Sequence, residues 1–362
     1  MWKKLRSLSC KICIRIQPNS TTMADVDTKN KEDLSAVIAR HYDSIDNNFA
    51  TRNESRILFL RNFNNWVKSV LIQEAVLKLR DTRIDDGKMH VLDIACGKGG
   101  DLYKWKNNSC LEHLVAVDIS PGSIINYESR YADLKRRNKY IFDAKFIVAD
   151  CTRVIINKFY ENPSMKFHLV NCQFAFHYCF ESIQQAECML KNISSNLISG
   201  GIFIGTIPNA SEIVRRQREC GKKKFGNSIY NIEFMCDPEK LLPIFGAKYI
   251  FHLEGVVNCP EFLVYFPAFE KLAKSYGLEL KMKMTFGDFF EKHSKLDLNF
   301  LNRISALELY PPQEGNKKMG TEDEYEKAKQ FLNENKIPNI GTLSKSEWEV
   351  ATLYMVFMFQ KM

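Results

Sequence analysis

Little in this 362-residue chain would mark it as a secreted or membrane protein. No uninterrupted apolar run approaches the roughly 18 residues that a bilayer-crossing helix needs, and the longest, around Ala351 to Phe359, is the size of a strand. A helical membrane span is excluded. The eleven cysteines are odd in number and follow no paired framework, which excludes a disulfide scaffold and points to a reducing compartment. Cys10 and Cys13 form a single CxxC with no second CxxC or HxxxH at zinc spacing, so no metal is expected. Acid is missing from the first 22 residues, where Lys3, Lys4, Arg6, Lys11 and Arg15 stand among Leu and Ile. Residues 1–30 read as a flexible basic tail, similar in composition to an organelle presequence and equally to a segment that touches RNA, with Met23 as an alternative start.

What is present suits one large core with a smaller lobe: 45% of residues are hydrophobic and 26% charged. The net charge of +8 leans toward a polyanionic partner but decides nothing alone. Residues 31–88 carry apolar side chains at steps of three and four, as in "RILFLRNFNNWVKSVLIQEAVLKLR", and read as two or three helices. Residues 89–210 then alternate continuous apolar runs ("MHVLDIACG", "LVAVDIS", "KFIVADC", "FHLVNCQFAFHY", "GGIFIGTIPN") with helical stretches. Strands of that kind are buried on both faces, so the fold class is α/β, a doubly wound parallel sheet. After Asn209 the alternation breaks. Residues 211–262 read as an insertion carried on the main sheet, and 263–362 complete it, with a polar loop and exposed helix near 311–341.

In such a sheet ligands bind beyond the carboxyl ends of the strands, where strand order reverses. The stretch "VLDIACGKGGDLYKW" ends the first strand there, and its glycines admit close approach by a nucleotide-like group at the start of a helix. The dinucleotide pattern GxGxxG/A fails, because Leu102 stands where it needs a small residue. What fits is the S-adenosylmethionine-dependent methyltransferase pattern. Asp93, Asp118 and Asp150 close three successive strands, Asp118 lying where a ribose-binding acid belongs and Asp150 where adenine's amino group needs an acceptor. Each acid alone would more often be a helix cap.

Beyond these residues, "LRNFNNWVKSVLI", "CQFAFHYCFES", "FGNSIYNIEF", "EGVVNCPEFLVYFP" and "GTLSKSEWE" make the chain resemble the eukaryotic messenger-RNA cap guanine-N7 methyltransferases from about Ala39 to the C-terminus. The resemblance implies a Rossmann-like class I fold with an inserted cap-binding segment and S-adenosylmethionine as methyl donor. It implies cofactor contacts at Lys68, Asp93, Ala95, Gly97, Asp118, Asp150, Gln173 and Tyr178. The cap side would use Asn64, Asn65, Lys98, Lys104, Arg130, His177, Glu261 and Tyr354. His177, Tyr178 and Glu261 would position the reactants. It further implies capped nascent mRNA as partner in the nucleus, and admits a small activating subunit and the transcription and capping machinery. The long basic extension of vertebrate members is missing. One departure stands inside the turn: family members usually carry glycine where this chain has Ala95, which an alanine tolerates at negative φ.

The chemistry agrees. Guanine N7 has an exposed lone pair and no proton at neutral pH, so no general base is needed and catalysis is mainly positioning and electrostatics. The competing readings are a methyltransferase of the same fold acting on another RNA, a protein or a metabolite, and an inactive RNA-binding module that kept the fold. Without the resemblance, Tyr354 would read as core packing and Lys68 as a solvated lysine.

Overall fold

The computed structural model describes residues 33–44, 54–81, 87–296, 298–314 and 318–362; the basic tail with Cys10 and Cys13 lies outside them. Two N-terminal helices, α1 (Leu34–Ser44) and α2 (Leu58–Asp81), precede a seven-stranded sheet. Its members are β1 (Met89–Ile94), β2 (Leu111–Asp118), β3 (Asp143–Val148), β4 (Phe167–Gln173), β5 (Leu197–Pro208), β10 (Leu278–Thr285) and β13 (Tyr354–Lys361). They run in the order β10-β13-β5-β4-β1-β2-β3. The first five are parallel, and β13 is antiparallel to both of its neighbours. Strand order reverses between β4 and β1, which fixes where a ligand cleft forms.

Alternation along these strands splits the interior in two. Val91, Leu114, Ala116, Leu169 and Ile204 enter one core layer, while Leu92, Ile94, Val115, Val117 and Val170 enter the other. A strand whose side chains alternate between two dry faces must be apolar at nearly every position, which explains the continuous runs. Among the described residues, no helix is long and apolar enough to cross a membrane, and all nine cysteines are unpaired.

Residues 211–262 contribute no strand to the main sheet. The basic run "RRQREC" closes a helix, Ala210–Cys220, and the segment then folds into its own antiparallel sheet. That sheet comprises β6 (Lys224–Gly226), β7 (Tyr230–Phe234), β8 (Lys248–Leu253) and β9 (Val257–Phe262), in sequence order. Its inward side chains, among them Ile232, Phe234, Tyr249 and Phe251, join the same core layer as α2. The polar stretch near 311–341 holds the exposed helix Glu326–Asn335 and also half of a two-stranded ribbon, Ile340–Thr342 pairing with Glu308–Tyr310.

Candidate active site

The glycine turn after β1 is shaped from below by Asp93. Its carboxylate accepts from the Trp105 indole N–H at 3.2 Å and from the Asn171 amide at 2.7 Å, and only 2% of the residue is exposed. Burial, then the nearby Asp101 charge, pushes its carboxyl up to about 7. Asp93 is thus tied to the helix after the turn and to β4.

Asp118 holds the turn from the side. Oδ2 accepts from the Gly97 N–H at 2.7 Å and Oδ1 from the Ser120 N–H at 2.8 Å, which leaves lone pairs on both oxygens. Burial pushes this carboxyl up, and those two N–H groups pull against it. Gly97 has φ +54°, and a Cβ there would point into open space, as a cradle for a close ligand requires. Gly99 differs: at φ +74° its Cβ would lie 2.4 Å from the Tyr127 ring.

Ala95 overturns one expectation. Its φ is +54°, in the left-handed region and not at the negative value that would suit alanine. Two substitutions at this turn should therefore behave unlike each other. Ala95→Gly releases about 1–2 kcal/mol of strain. It gives back about 0.4–1 kcal/mol through a freer unfolded chain and loses the methyl's packing, for a net change within about 1 kcal/mol of zero. Gly99→Ala adds the same strain and a clash with a fully buried ring, and is expected to lose at least about 2 kcal/mol. Urea unfolding of the two variants checks both; equal losses would contradict the geometry.

The cleft above the turn is lined by Ile94, Ala95, Asp118, Asp150, Thr152 and Tyr178, and by Ser35 and Ile38 of α1. Asp150 lies past the end of β3, where its Oδ1 accepts from the Thr152 N–H at 2.9 Å and hydroxyl at 2.6 Å. Arg153 Nε stands 3.3 Å from Oδ2. On the other side, Lys68 Nζ of α2 lies 2.7 Å and Lys104 Nζ 2.8 Å from Asp101 Oδ1. Burial alone would push the Asp101 carboxyl up, but the two ammonium groups hold it well below the usual carboxylate range. Lys104 also donates to Asn65 Oδ1 at 3.2 Å, and the exposed Arg130 donates to the Lys98 carbonyl at 2.6 Å. Asn65, Lys68, Lys98, Lys104 and Arg130 thus flank the glycine turn as basic and amide groups.

After β4 the chain turns at Phe174, whose φ of +57° is unusual for a bulky residue. Two hydrogen bonds from its N–H, to the Thr206 hydroxyl at 2.9 Å and carbonyl at 3.1 Å, hold it there. The turn leads into a short 3-10 helix, Phe176–Glu181, that carries His177 and Tyr178. The Tyr178 hydroxyl shares hydrogen bonds with Tyr42 of α1 at 3.0 Å and with Cys259 of β9 at 3.3 Å. His177 Nε2 lies 3.4 Å from Glu261 Oε1, and the Glu261 Oε2 accepts from the Tyr249 hydroxyl at 2.7 Å. Tyr354 packs by its ring against Phe174 and Phe286, and burial, then the Glu261 charge, raises its hydroxyl pKa.

Six buried polar atoms of this set have no hydrogen-bond partner among the described residues; Asp101 Oδ1, Asp150 Oδ2 and His177 Nε2 each stand beside an ion-pair partner, whereas Asn64 Oδ1, Gln173 Oε1 and His177 Nδ1 have neither. Such atoms are costly unless something binds them. Gln173 gives its amide N–H to Asn171 at 2.7 Å, which leaves its carbonyl oxygen available.

Sequence reasoning expected helices here but missed the part α1 plays in the cleft. Ser35 and Ile38 line the cleft, Tyr42 meets Tyr178, and Asp43 accepts from the Ser120 hydroxyl. The spacing of Leu34, Ile38 and Tyr42 marks one helix face, but nothing local says what that face covers. Asp101 and Asn171 were missed too, because their partners Lys68 and Asp93 come from other elements.

Residues 25–362 match the mRNA (guanine-N(7))-methyltransferase domain family. The mRNA cap guanine-N(7) methyltransferase of Drosophila melanogaster is 44% identical over 333 residues, which cover 90% of this chain and 77% of the fly protein. That of Caenorhabditis elegans is 40% identical over 339 residues, covering 90% and 87% of the two chains. Among solved structures, an S-adenosylmethionine-dependent methyltransferase from Clostridium acetobutylicum is similar with a TM-score of 0.43 at 14% identity, over 81% of this chain and 90% of that one. The chain belongs to the mRNA (guanine-N7) methyltransferase family.

Proposed function

We propose a residue-level account of how this chain carries out its family's reaction, S-adenosylmethionine-dependent methylation of the mRNA cap at guanine N7. The cofactor supplies a methyl group on a positively charged sulfur. Lys68 would hold its carboxylate, the open backbone at Gly97 and the Asp118 oxygens its ribose, and Asp150 its adenine. Gln173 would offer its unpartnered carbonyl oxygen, with Tyr178 beside it. On the cap side, Glu261 would accept from the guanine's N–H edge, with His177 and Tyr354 against the base. Asn64 and Asn65 would offer amide groups, and Lys98, Lys104 and Arg130 would neutralise the triphosphate. None of these residues is asked to remove a proton. They orient two reactants, which can supply about 7–11 kcal/mol of the barrier reduction, and place a fixed carboxylate where positive charge develops.

The observation that carries this reading is the trio of buried, unpartnered polar atoms on Asn64, Gln173 and His177, which fall on residues the cofactor and cap would satisfy. Capped nascent mRNA is the partner, and the nucleus, where caps are made, the place of work. A small activating subunit and the capping machinery belong to this proposal as companions.

The test uses labelled S-adenosylmethionine and short RNAs ending in GpppG, GpppA or a bare 5′ triphosphate, with products resolved for 7-methylguanosine. Transfer to the capping guanosine of the first two and not to the third is expected. Transfer to the uncapped RNA, or none despite a cofactor-induced rise in thermal midpoint, would reject the reading.

A further inference from the structure

Three of the seven histidines gather at the opposite end of the sheet from the cleft, on three adjacent strands: His90 on β1, His113 on β2 and His168 on β4. The β1 and β2 register jumps there, Met89 pairing with Leu111 but His90 with His113, so Glu112 is an extra residue in the ladder. A bulge of this kind re-aims a side chain. Here Glu112 joins the histidines, its Oε2 paired with His90 Nε2 at 3.3 Å, and ligand-capable atoms of His90, Glu112 and His113 all lie within 4.8 Å of one another.

We propose that His90, Glu112 and His113 bind a divalent transition-metal ion of the zinc class. Two imidazoles and one carboxylate are ligands such an ion takes, and three protein ligands leave a fourth position for water. Tetrahedral ligation at about 2.0–2.2 Å sets donor atoms about 3.3 Å apart. His90 Nε2 and Glu112 Oε2 already stand 3.3 Å apart. The surroundings set the donor atoms. His90 Nδ1 faces the Lys166 carbonyl at 3.4 Å, so an ion that displaces the proton Nε2 gives to Glu112 would leave the Nδ1–H held by that carbonyl. Lys88 donates to Glu112 Oε1 at 2.6 Å, leaving Oε2 as the single ligand oxygen. His168 accepts from the His90 N–H through Nδ1 at 3.0 Å and stacks edge-on against the His90 ring, so it buttresses the site. All three ligand residues are half-buried and open to solvent.

The ion would clip β1 to β2 at their entry ends. About 13 Å of strand separates His90 from Ile94, which lines the cleft, so the ion takes no part in the reaction.

The full chain, stripped with chelator, would be titrated with Zn²⁺ by calorimetry and with Co²⁺ by absorption. One saturable equivalent is expected, with a rise in thermal midpoint and a cobalt spectrum free of thiolate charge transfer. His90→Gln and His113→Gln should each weaken binding at least tenfold and abolish the thermal shift, while metal-free methylation activity stays at the wild-type level and shows both variants folded. Unchanged binding in the variants, a thiolate band placing the ion on cysteine, or no uptake by the wild type would each overturn the proposal.

Discussion

Glu261→Gln is expected to lower kcat/KM for capped RNA by about 10²–10³ while S-adenosylmethionine affinity stays within about twofold of wild type. Glu261 is 3% exposed, fixed by the Tyr249 hydroxyl at 2.7 Å and faced by His177 Nε2 at 3.4 Å. Glutamine keeps the shape and an oxygen for Tyr249. It loses the negative charge and turns an amide N–H toward an edge of guanine that itself presents donors. The guanine ring gains positive charge as N7 is methylated, so a fixed carboxylate in a dry site favours the transition state over the ground state, and its loss falls on kcat. Urea unfolding of the variant separates a loss of stability from a loss of turnover, because Glu261 is also the partner of Tyr249 and His177. Turnover within fivefold of wild type would reject the assignment. Lost cofactor binding with cap binding retained would place Glu261 on the other side of the reaction.

The centre of the main sheet was legible in the sequence because its inner strands are dry on both faces, so that Asp93 alone interrupts the apolar run from Val91 to Ile94 and nothing interrupts Val115 to Val117. The acids at strand ends were legible for the same reason: Asp118 is the first charge after such a run. Three things were hidden, each for a physical reason. The insert's sheet packs one face on the core, and its burial alternates, as at Tyr230 to Phe234, so its strands merge with the basic helix before them. The positive φ at Ala95 belongs to a turn that is tied to β2 by the Gly97 to Asp118 bond, a pairing that composition does not encode. Cooperation between Asp101 and Lys68, or between His90 and His113, exists only once distant segments are paired.

Asp101 shows what that pairing carries. Asp101→Asn is expected to destabilise the cofactor-free protein by about 3–5 kcal/mol, the usual loss when one partner is removed from a buried ion pair. The Lys68 and Lys104 ammonium groups, 14% and 13% exposed, would then face each other with no carboxylate between them. Asp93 limits the damage. The Asp101 charge is the second cause, after burial, of Asp93's rise to about 7, so without it Asp93 ionises more readily and returns part of the missing charge. The loss should therefore lie toward the lower end of that range. The pH dependence carries a definite sign. Asp101's folded pKa is held below its unfolded value near ~4, so its stabilisation is complete above about pH 4 and disappears as pH falls through the folded value. The gap between wild type and variant in urea unfolding should therefore narrow below about pH 4 and stay wide at pH 7. Cofactor supplies a second readout. If Lys68 receives the cofactor's carboxylate, S-adenosylmethionine returns an anion to the lysine pair, and it should raise the variant's thermal midpoint more than the wild type's. A variant with the wild-type urea midpoint would show that the lysines do not need Asp101. A destabilised variant with no extra rescue would show that the cofactor's carboxylate binds elsewhere than Lys68.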